Sequence, residues 1–337
     1  MKTQTAKSTA VAPLSGPKPQ WCKDLLSIGD LGPEGVKSML DLTALVKARP
    51  KEFGQALGGK QVVLFFEKPS LRTRLTFEVG VNTLGGTSYF FDQTDSRLGG
   101  REKLSDIAHN LERWVDGIVL RTFEHTTVTE MAEHASIPVI NGLSNLEHPC
   151  QALADYFTLI EKFGNVKGIR LAYVGDANNV AHSLMLTAAC LGSKITVAAP
   201  NGYKADEQVT TTALEIASET GASIDFTHDV RAAVKNADAV YTDVWASMGQ
   251  ESETARRKKT FAPFQVNEEL FSLAAPHAVF MHCLPAHRGD EVTDGVIDSP
   301  RSVVFDQAEN RMHAQKAAML ILLGGEFKRL PQRSAHA

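Results

Sequence analysis

Residues 70–74 (SLRTR) place two hydroxyls and two arginines shortly after an apolar run, where they could bind an anion. The residues that follow are apolar at helical spacing: Leu75, Val79 and Leu84. Ser70 is a favoured N-cap residue, so a helix would begin here and present free N–H groups and partial positive charge. With Arg72, this helix start would form a phosphate site without a glycine-rich loop. A capped helix with solvated arginines would have the same pattern, so the segment alone leaves both interpretations open.

Two further polar groups fall where later apolar runs end. Arg121 closes the run GIVL, and residues 148–151 (HPCQ) open a helical pattern. Arginine and histidine side chains near a helix start could polarise a carbonyl group and stabilise the charge that develops on its oxygen. A lone histidine is more often structural. His148, however, shares the predicted sheet edge with Arg121 and the SLRT segment, which favours a chemical role.

The second half of the chain has polar residues at corresponding positions. Residues 173–180 (YVGDANNV) pass from a strand into a helix but lack the G-x-G-x-x-G pattern of dinucleotide-binding proteins. Asp243 follows another apolar run and offers a carboxylate to an ammonium group, although aspartate at a strand end is also a common turn residue. Adjacent strand residues point to opposite faces, so His282 and Cys283 are a poor zinc site. A buried structural cysteine stays an alternative for Cys283.

Strand and helix patterns alternate along the chain from residue 21 onward. The predicted strands are residues 61–66, 87–91, 117–120, 138–140, 169–174, 194–198, 223–226, 239–242, 278–282 and 302–305. The helices predicted between them include 104–114, 180–191 and 206–220. Buried parallel strands are rich in Val, Ile and Phe, as these are, and the alternation predicts an α/β fold. We expect two doubly wound parallel-sheet domains joined by an interdomain helix (151–163), with a last helix (311–323) that crosses back to the first domain. Ligands of such sheets bind beyond the carboxyl ends of the strands, where the polar residues above fall.

Composition and charge are typical of a soluble globular protein. The 337 residues are 43% hydrophobic and 22% charged, with a net charge of −4, so nucleic acid is not an expected partner. No apolar run approaches the roughly 20 residues that span a bilayer, so no membrane association is expected. Four widely spaced cysteines without a CxxC pair argue against a zinc ribbon or a secreted disulfide framework and favour a cytoplasmic location. Residues 1–20 contain three lysines, three prolines and no acid, and are predicted to be a disordered tail, with a transit peptide as the alternative.

The motifs described above resemble the signatures of one enzyme family, the aspartate/ornithine carbamoyltransferases. Residues 70–74 are similar to its S-x-R-T-R segment and residues 148–151 to its H-P-x-Q segment, in the right order and spacing. Residues 243–249 (DVWASMG) resemble the D-x-x-x-S-M-G segment of the branch that carbamoylates ornithine. Residues 174–179 (VGDANN) and 282–285 (HCLP) resemble two further segments of that branch. The resemblance extends from about residue 60 to residue 323.

The resemblance implies a trimer with active sites at its subunit interfaces. It also implies transfer of a carbamoyl group from carbamoyl phosphate to the side-chain amine of L-ornithine, without a metal or cofactor. The expected carbamoyl phosphate contacts are Ser70, Leu71, Arg72, Thr73, Arg97, Arg121, His148, Gln151, Cys283, Leu284 and Arg311. The expected ornithine contacts are Asn179, Asp243, Ser247 and Met248. The expected catalytic residues are Arg121, His148, Asp243 and Cys283. The expected units are a tail (1–20), a carbamoyl phosphate domain (21–155 with 311–330) and an ornithine domain (156–310).

One segment departs from the family pattern. Residues 95–103 resemble the mobile loop that reaches a neighbouring subunit's site, but the ornithine enzymes usually have Gln or His where this chain has Arg97. Arg97 would either add a phosphate contact from the neighbouring subunit or belong to a solvated basic loop.

Three rival functions stay open at this point. They are a sister carbamoyltransferase acting on N-acetylornithine, N-succinylornithine, putrescine or aspartate, a nucleotide-dependent oxidoreductase, and an inactive homologue. Arginine biosynthesis is the expected direction of use, and the sequence does not distinguish one trimer from several.

Overall fold

The computed structural model describes residues 22–93, 98–246 and 251–324, which form nine strands and twelve α-helices. The strands are β1 (Gln61–Phe66), β2 (Thr87–Asp92), β3 (Gly117–Arg121), β4 (Val139–Leu143), β5 (Arg170–Val174), β6 (Lys194–Ala198), β7 (Ser223–Thr227), β8 (Ala239–Thr242) and β9 (Val279–His282). The helices are α1 (Gly32–Ala48), α2 (Leu71–Thr83), α3 (Leu104–Leu111), α4 (His125–His134), α5 (Pro149–Phe163), α6 (Asn179–Leu191), α7 (Glu207–Thr220), α8 (Val230–Val234), α9 (Thr254–Phe261), α10 (Glu268–Phe271), α11 (Asp294–Ile297) and α12 (Val304–Leu322). Within the three described ranges, no helix has the length and apolar composition that crossing a membrane requires.

The strands form two fully parallel sheets. The first domain has the strand order β2-β1-β3-β4, and the second has β7-β6-β5-β8-β9. Every residue of β3 and β8 is buried, which explains the almost unbroken apolar sequence of these strands. The predicted pair of doubly wound parallel-sheet domains is confirmed. In each sheet the strand order reverses once, between β1 and β3 and between β5 and β8, and ligands of such folds bind in the crevice at that point.

Two helices connect the sheets, as predicted. The interdomain helix α5 runs from the end of β4 towards β5 and ends at Gly164, whose φ of 76° is a conformation that glycine adopts freely. The last helix, α12, packs against α1, α2 and α5 of the first domain. The approach at its end is so close that a Cβ on Gly117 would lie 2.5 Å from a methyl carbon of Leu323. The first domain therefore depends on the C-terminal helix for part of its packing.

The predicted tenth strand (302–305) is wrong. The helix α12 begins at Val304 instead of 311, so half of the predicted strand is its first turn. Ser302 forms only an isolated bridge with Phe280 of β9. Phe305 is 73% exposed, so this short apolar run lacks the burial on both faces that a central strand would have.

The helix α2 forms as its apolar spacing predicted, but of the three residues that carried that spacing only Leu84 is buried, at 1% exposed. Its buried side chains include Phe77 and Val81. Leu71, Leu75 and Val79 are 71%, 48% and 41% exposed. Because residues four apart share a helix face, these three side chains form an apolar stripe on the surface, which we call the α2 stripe.

Candidate active site

The carboxyl ends of the two sheets meet at a cavity of about 360 Å³. This volume lies within the range of small-molecule binding sites. The predicted contacts that line it are Ser70, Leu71, Arg72, Thr73, Arg121, His148, Gln151, Asn179, Asp243, Cys283, Leu284 and Arg311. Every predicted contact within the described ranges therefore lies at one cavity. Arg97, Ser247 and Met248 lie outside the described residues.

The start of α2 forms one wall of the cavity. Ser70 is the N-cap, and its Oγ accepts the backbone N–H of Thr73 at 3.2 Å. An α-helix leaves its first N–H groups without partners inside the helix, so the N–H groups of Leu71 and Arg72 can bind a ligand. These groups and the helix dipole together favour an anion.

Two buried guanidinium groups converge on the side chain of Thr73. Thr73 Oγ1 accepts from Arg121 Nη1 at 3.4 Å and from Arg311 Nη2 at 2.9 Å. Arg121 is 5% exposed and Arg311 is 3% exposed, and in the described part of the chain neither forms an ion pair with a carboxylate. Burial, and then the charge of Arg311, lowers the pKa of Arg121 to about 9, which leaves it charged at neutral pH. Buried charges without a partner destabilise a protein, and an anionic ligand would offset that cost.

His148 lies beside the two arginines at the N-terminal end of α5. Its backbone N–H donates to Ser183 Oγ of α6 at 2.9 Å, which fixes the position of the residue. Burial, and then the charges of Arg311 and Arg121, keeps the pKa of His148 well below the ordinary 6.5. The imidazole is therefore neutral at physiological pH, and its buried Nδ1 has no partner among the described residues. A neutral imidazole can donate a hydrogen bond to a carbonyl oxygen without adding a third cation to the cluster.

The wall contributed by the second domain carries a carboxylate that accepts three hydrogen bonds. Asp243 Oδ2 accepts from Asn178 Nδ2 at 2.8 Å, and its Oδ1 accepts from the Val244 N–H at 2.8 Å and from the Cys283 thiol at 2.9 Å. Burial, and then the charge of Asp243, raises the pKa of Cys283 well above its ordinary value. Cys283 is therefore a protonated thiol that donates to Asp243, and not a thiolate.

The two asparagines at the start of α6 have different partners. Asn178 is the N-cap and accepts the N–H groups of Val180 and Ala181, while its NH₂ group binds the carboxylate described above. Asn179 Nδ2 donates to the Ser144 carbonyl oxygen at 2.6 Å. Because Ser144 follows β4 of the first domain, this hydrogen bond joins the two domains at the cavity. Among the described residues no group donates to Oδ1 of Asn179, so this oxygen can accept from a ligand.

Asp243, His282 and Cys283 place possible metal-ligand atoms within 4.8 Å of one another. The strand β9 ends at His282, so the alternation that the sequence argument used does not extend to Cys283. Hydrogen bonds already engage these side chains, since His282 Nδ1 accepts the Leu284 N–H at 2.8 Å and the thiol donates to Asp243. A cysteine binds metal as the thiolate, whereas burial keeps this one protonated. The group is therefore organised as a hydrogen-bonded network.

Sequence reasoning did not single out several residues that line the cavity or lie behind it. Lys68 lines the cavity and lies 4.5 Å from the ring centroid of Phe123. Glu67 is buried and accepts the N–H groups of Leu98 and Phe123. Both residues precede the SLRTR segment, but their partners are distant in sequence. Asp155 lies one helical turn after residues 148–151 (HPCQ). The sequence could have identified it as a candidate, because a carboxylate on a buried helix face requires a partner.

Comparison with known proteins identifies the class to which this fold and cavity belong. Residues 23–161 match the aspartate/ornithine carbamoyltransferase carbamoyl-P binding domain, and residues 167–322 match the aspartate/ornithine carbamoyltransferase Asp/Orn binding domain. Together these matches cover most of the chain. The chain belongs to the aspartate/ornithine carbamoyltransferase family, which confirms the resemblance found in its motifs.

Several proteins similar to this chain are named ornithine carbamoyltransferases. One from Thermococcus kodakarensis is 52% identical over 305 residues, which cover 90% of this chain and 97% of the relative. An anabolic one from Pyrococcus furiosus is 50% identical over 305 residues, with coverage of 90% and 97%. A solved structure of ornithine carbamoyltransferase from Pyrococcus furiosus matches with a TM-score of 0.87 at 50% identity, and covers 90% of this chain and 97% of that one.

Proposed function

We propose that this chain transfers the carbamoyl group of carbamoyl phosphate to the side-chain amine of L-ornithine, giving L-citrulline and phosphate. The observation that carries the proposal is the pair of buried guanidinium groups, Arg121 and Arg311, which share the Thr73 hydroxyl beside the start of α2. A doubly charged phosphoryl group and a polarised carbonyl oxygen would supply the negative charge that this cluster lacks. Relatives with about half of their residues identical are named for ornithine, which supports ornithine as the acceptor.

The donor binds at the start of α2 in this proposal. Ser70, Arg72 and the backbone N–H groups of Leu71 and Arg72 hold the phosphate oxygens. Because Thr73 Oγ1 accepts from two arginines, its own proton is available for the substrate. Thr73, Arg121 and His148 then donate to the carbonyl oxygen as its negative charge grows. One donor of this kind is worth about 2.7–4 kcal/mol in the transition state.

The carbamoyl amino group faces hydrogen-bond acceptors. Gln151 Oε1 is buried and has no partner among the described residues. The backbone at Cys283 and Leu284 lies at the same cavity. Leu284 has a φ of 58°, a left-handed conformation that leucine rarely adopts and that is found most often at functional sites.

Ornithine enters beside Asp243 and Asn179. The Asp243 carboxylate pairs with an ammonium group, Asn179 Oδ1 accepts a further N–H, and Ser247 and Met248 stay predicted contacts. The side-chain amine has a lysine-like pKa near 10 in water, so it must lose a proton before it attacks. Its nitrogen then bonds to the carbonyl carbon, and the bond from that carbon to the phosphate oxygen breaks. The leaving phosphate keeps the electron pair of the broken bond and takes up the proton that the nitrogen loses. The protonated Cys283 thiol orients the amine and does not itself attack.

A homotrimer, or a multiple of trimers, belongs to the same proposal. The α2 stripe lies next to the phosphate-binding end of the cavity, and exposed apolar surface there supports a subunit interface at this position. The phosphate contact of Arg97 from a neighbouring subunit depends on this assembly. The limits of the carbamoyl phosphate domain (21–155 with 311–330) and of the ornithine domain (156–310) stay predictions. A cytoplasmic location is supported by the four free cysteines.

The test is an assay with carbamoyl phosphate in which ornithine, N-acetylornithine, putrescine and aspartate are offered in parallel and each product is measured. A strong preference for ornithine supports the proposal. Turnover with only another acceptor would support carbamoyl phosphate as the donor and refute ornithine as the acceptor. No turnover with any acceptor would refute the reaction and favour an inactive homologue.

A further inference from the structure

One buried carboxylate, Asp155, connects three elements behind the cavity. It is 0% exposed and lies one helical turn after Gln151 on α5. Its Oδ1 accepts from Gln151 Nε2 at 2.7 Å and from Gln307 Nε2 of α12 at 2.8 Å. Gln307 Oε1 in turn accepts the backbone N–H of His282 at 3.0 Å. A single oxygen atom therefore links α5, α12 and the end of β9.

This carboxylate determines which way the Gln151 side chain faces. A glutamine amide can turn its NH₂ group or its oxygen towards a neighbour, but a carboxylate oxygen can only accept. The NH₂ group of Gln151 must therefore point to Asp155, which leaves Oε1 as the atom for the cavity. That oxygen is buried without a partner among the described residues. Because buried acceptors are rarely left unpaired, a ligand with an N–H group is the missing partner.

Through Gln307, Asp155 Oδ1 also fixes the backbone at His282, on the other side of the cavity. Gln307 also gives its NH₂ group to Asp155, so its own oxygen is fixed towards the His282 N–H. His282 directly precedes Cys283 and Leu284, the backbone that would accept from the carbamoyl amino group. Burial raises the pKa of Asp155 to about 7, and protonation of its free oxygen, Oδ2, leaves Oδ1 an acceptor. The arrangement is therefore kept in both protonation states.

We propose that Asp155 is a positioning residue that orients the acceptors for the carbamoyl amino group, and that it thereby selects carbamoyl phosphate over acyl phosphates without an N–H. This inference rests on the proposed function. Acetyl phosphate is the matched probe, because a methyl group replaces the amino group and the phosphate is unchanged. Asp155 acts through Gln151 and does not itself touch the substrate.

The test compares the dissociation constants of carbamoyl phosphate, acetyl phosphate and inorganic phosphate. In Asp155→Ala, the constant for carbamoyl phosphate should rise about tenfold, the size of one lost hydrogen bond with its unpaired acceptor. The constants for the other two ligands should change less than about twofold. Asp155→Asn retains an acceptor oxygen and should restore binding of carbamoyl phosphate to within about threefold. If Asp155→Ala does not fold, Asp155→Leu replaces it, because leucine has the same branched shape and leaves no cavity but has no acceptor.

Thr158→Val is the matched structural control. Thr158 lies on the same helix, is 0% exposed, and accepts from Asn310 Nδ2 of α12 at 2.9 Å. Its loss removes a buried contact between the same two helices but leaves Gln151 unchanged. The melting temperature should fall, and the ratio of carbamoyl phosphate to acetyl phosphate affinity should stay constant.

A double variant tests whether Asp155 acts through Gln151. In a Gln151→Ala background, adding Asp155→Ala should weaken carbamoyl phosphate binding by less than about threefold, because the oriented group is already absent. Additive losses, or equal losses for all three ligands in Asp155→Ala alone, would overturn the inference. Unmodified protein that does not bind carbamoyl phosphate would refute the proposed function and the inference together. Binding without citrulline formation would refute the proposed reaction alone.

Discussion

Replacement of Arg121 by methionine should make the protein more stable and less active. Arg121 is 5% exposed, its Nε has no partner within the described chain, and burial lowers its pKa to about 9. The folded protein therefore solvates this charge less well than water does. Methionine is of similar length and uncharged, so replacing Arg121 with methionine removes the free-energy cost of burying the charge. We expect the free energy of unfolding to rise by roughly 1–2 kcal/mol, a common gain when a functional strain is relieved.

The same substitution should slow the reaction strongly. Arg121 donates to Thr73 and faces the position proposed for the carbonyl oxygen. Loss of one such donor costs about 2.7–4 kcal/mol, or roughly a hundred- to a thousandfold in kcat. Phosphate affinity should fall less, because Ser70 and the N–H groups of α2 are unchanged. Initial rates of citrulline formation and unfolding in urea measure the two quantities on the same preparation.

Arg170→Met is the control for removal of an arginine. Arg170 is the first residue of β5, so it lies at the amino end of the strand, opposite to the cavity. Its side chain is 48% exposed and pairs with Asp238 at 3.3 Å. Its loss should cost less than about 1 kcal/mol of stability and leave kcat unchanged. Near-normal turnover in Arg121→Met would remove Arg121 from the mechanism. Lost turnover together with lost stability would mean that Arg121 supports the fold instead of the chemistry.

Three further outcomes follow from the same cavity and its surroundings. Phosphate at a hundred times its dissociation constant should raise the free energy of unfolding by about 2.7 kcal/mol. Arg311→Met should lose most of this stabilisation, measured in thermal melts. If phosphate does not stabilise the unmodified protein, the anion site is contradicted. Cys283→Ser should retain kcat within about tenfold, since the serine hydroxyl can still donate to Asp243. Mass spectrometry of the unmodified protein during turnover should find no carbamoylated cysteine. A thousandfold loss of kcat together with carbamoylated Cys283 would mean that the thiol is a nucleophile. Glu147, which accepts from the Ile28 N–H and from Ser183, has its pKa raised by burial from 4.5 to about 7, so its contribution to stability is complete below pH 4.5 and is lost as the pH rises through 7. Glu147→Gln should therefore match the unmodified protein near pH 4.5 and be about 3–4 kcal/mol more stable at pH 8, at about 1.36 kcal/mol for each unit of pKa difference. Parallel stability curves would show that Glu147 does not titrate in this range.

Strand ends were predictable because two physical requirements coincide there. The strands β1, β6 and β8 have the predicted bounds, since a buried parallel strand needs a continuous apolar run and the chain must turn polar where it leaves the sheet. Residues such as Arg121 and Asp243 were therefore placed correctly at the cavity edge from their positions alone. The motif resemblance added the order of the segments and the chemistry expected of them.

The errors arose where distant parts of the chain decide local structure. The run around Val304 is apolar enough for a strand, but α12 packs against three helices of the first domain, which favours a helix. The spacing of Leu75 and Val79 fits a buried face, yet nothing local indicates which face of α2 other helices will cover. Asp155 and Gln307 are 152 residues apart, so no local pattern could show that they meet.

The return of α12 to the first domain has a consequence for synthesis on the ribosome. Translation produces the first sheet early, but the faces of α1, α2 and α5 that α12 covers stay bare until residue 322 has been added. All strands of the second sheet are complete by His282. A nascent chain that has passed His282 but has not reached Val304 therefore contains every strand of the second sheet but lacks the helix that completes the packing of the first domain. The half of the chain that is translated first is therefore the half whose last packing element is translated at the end.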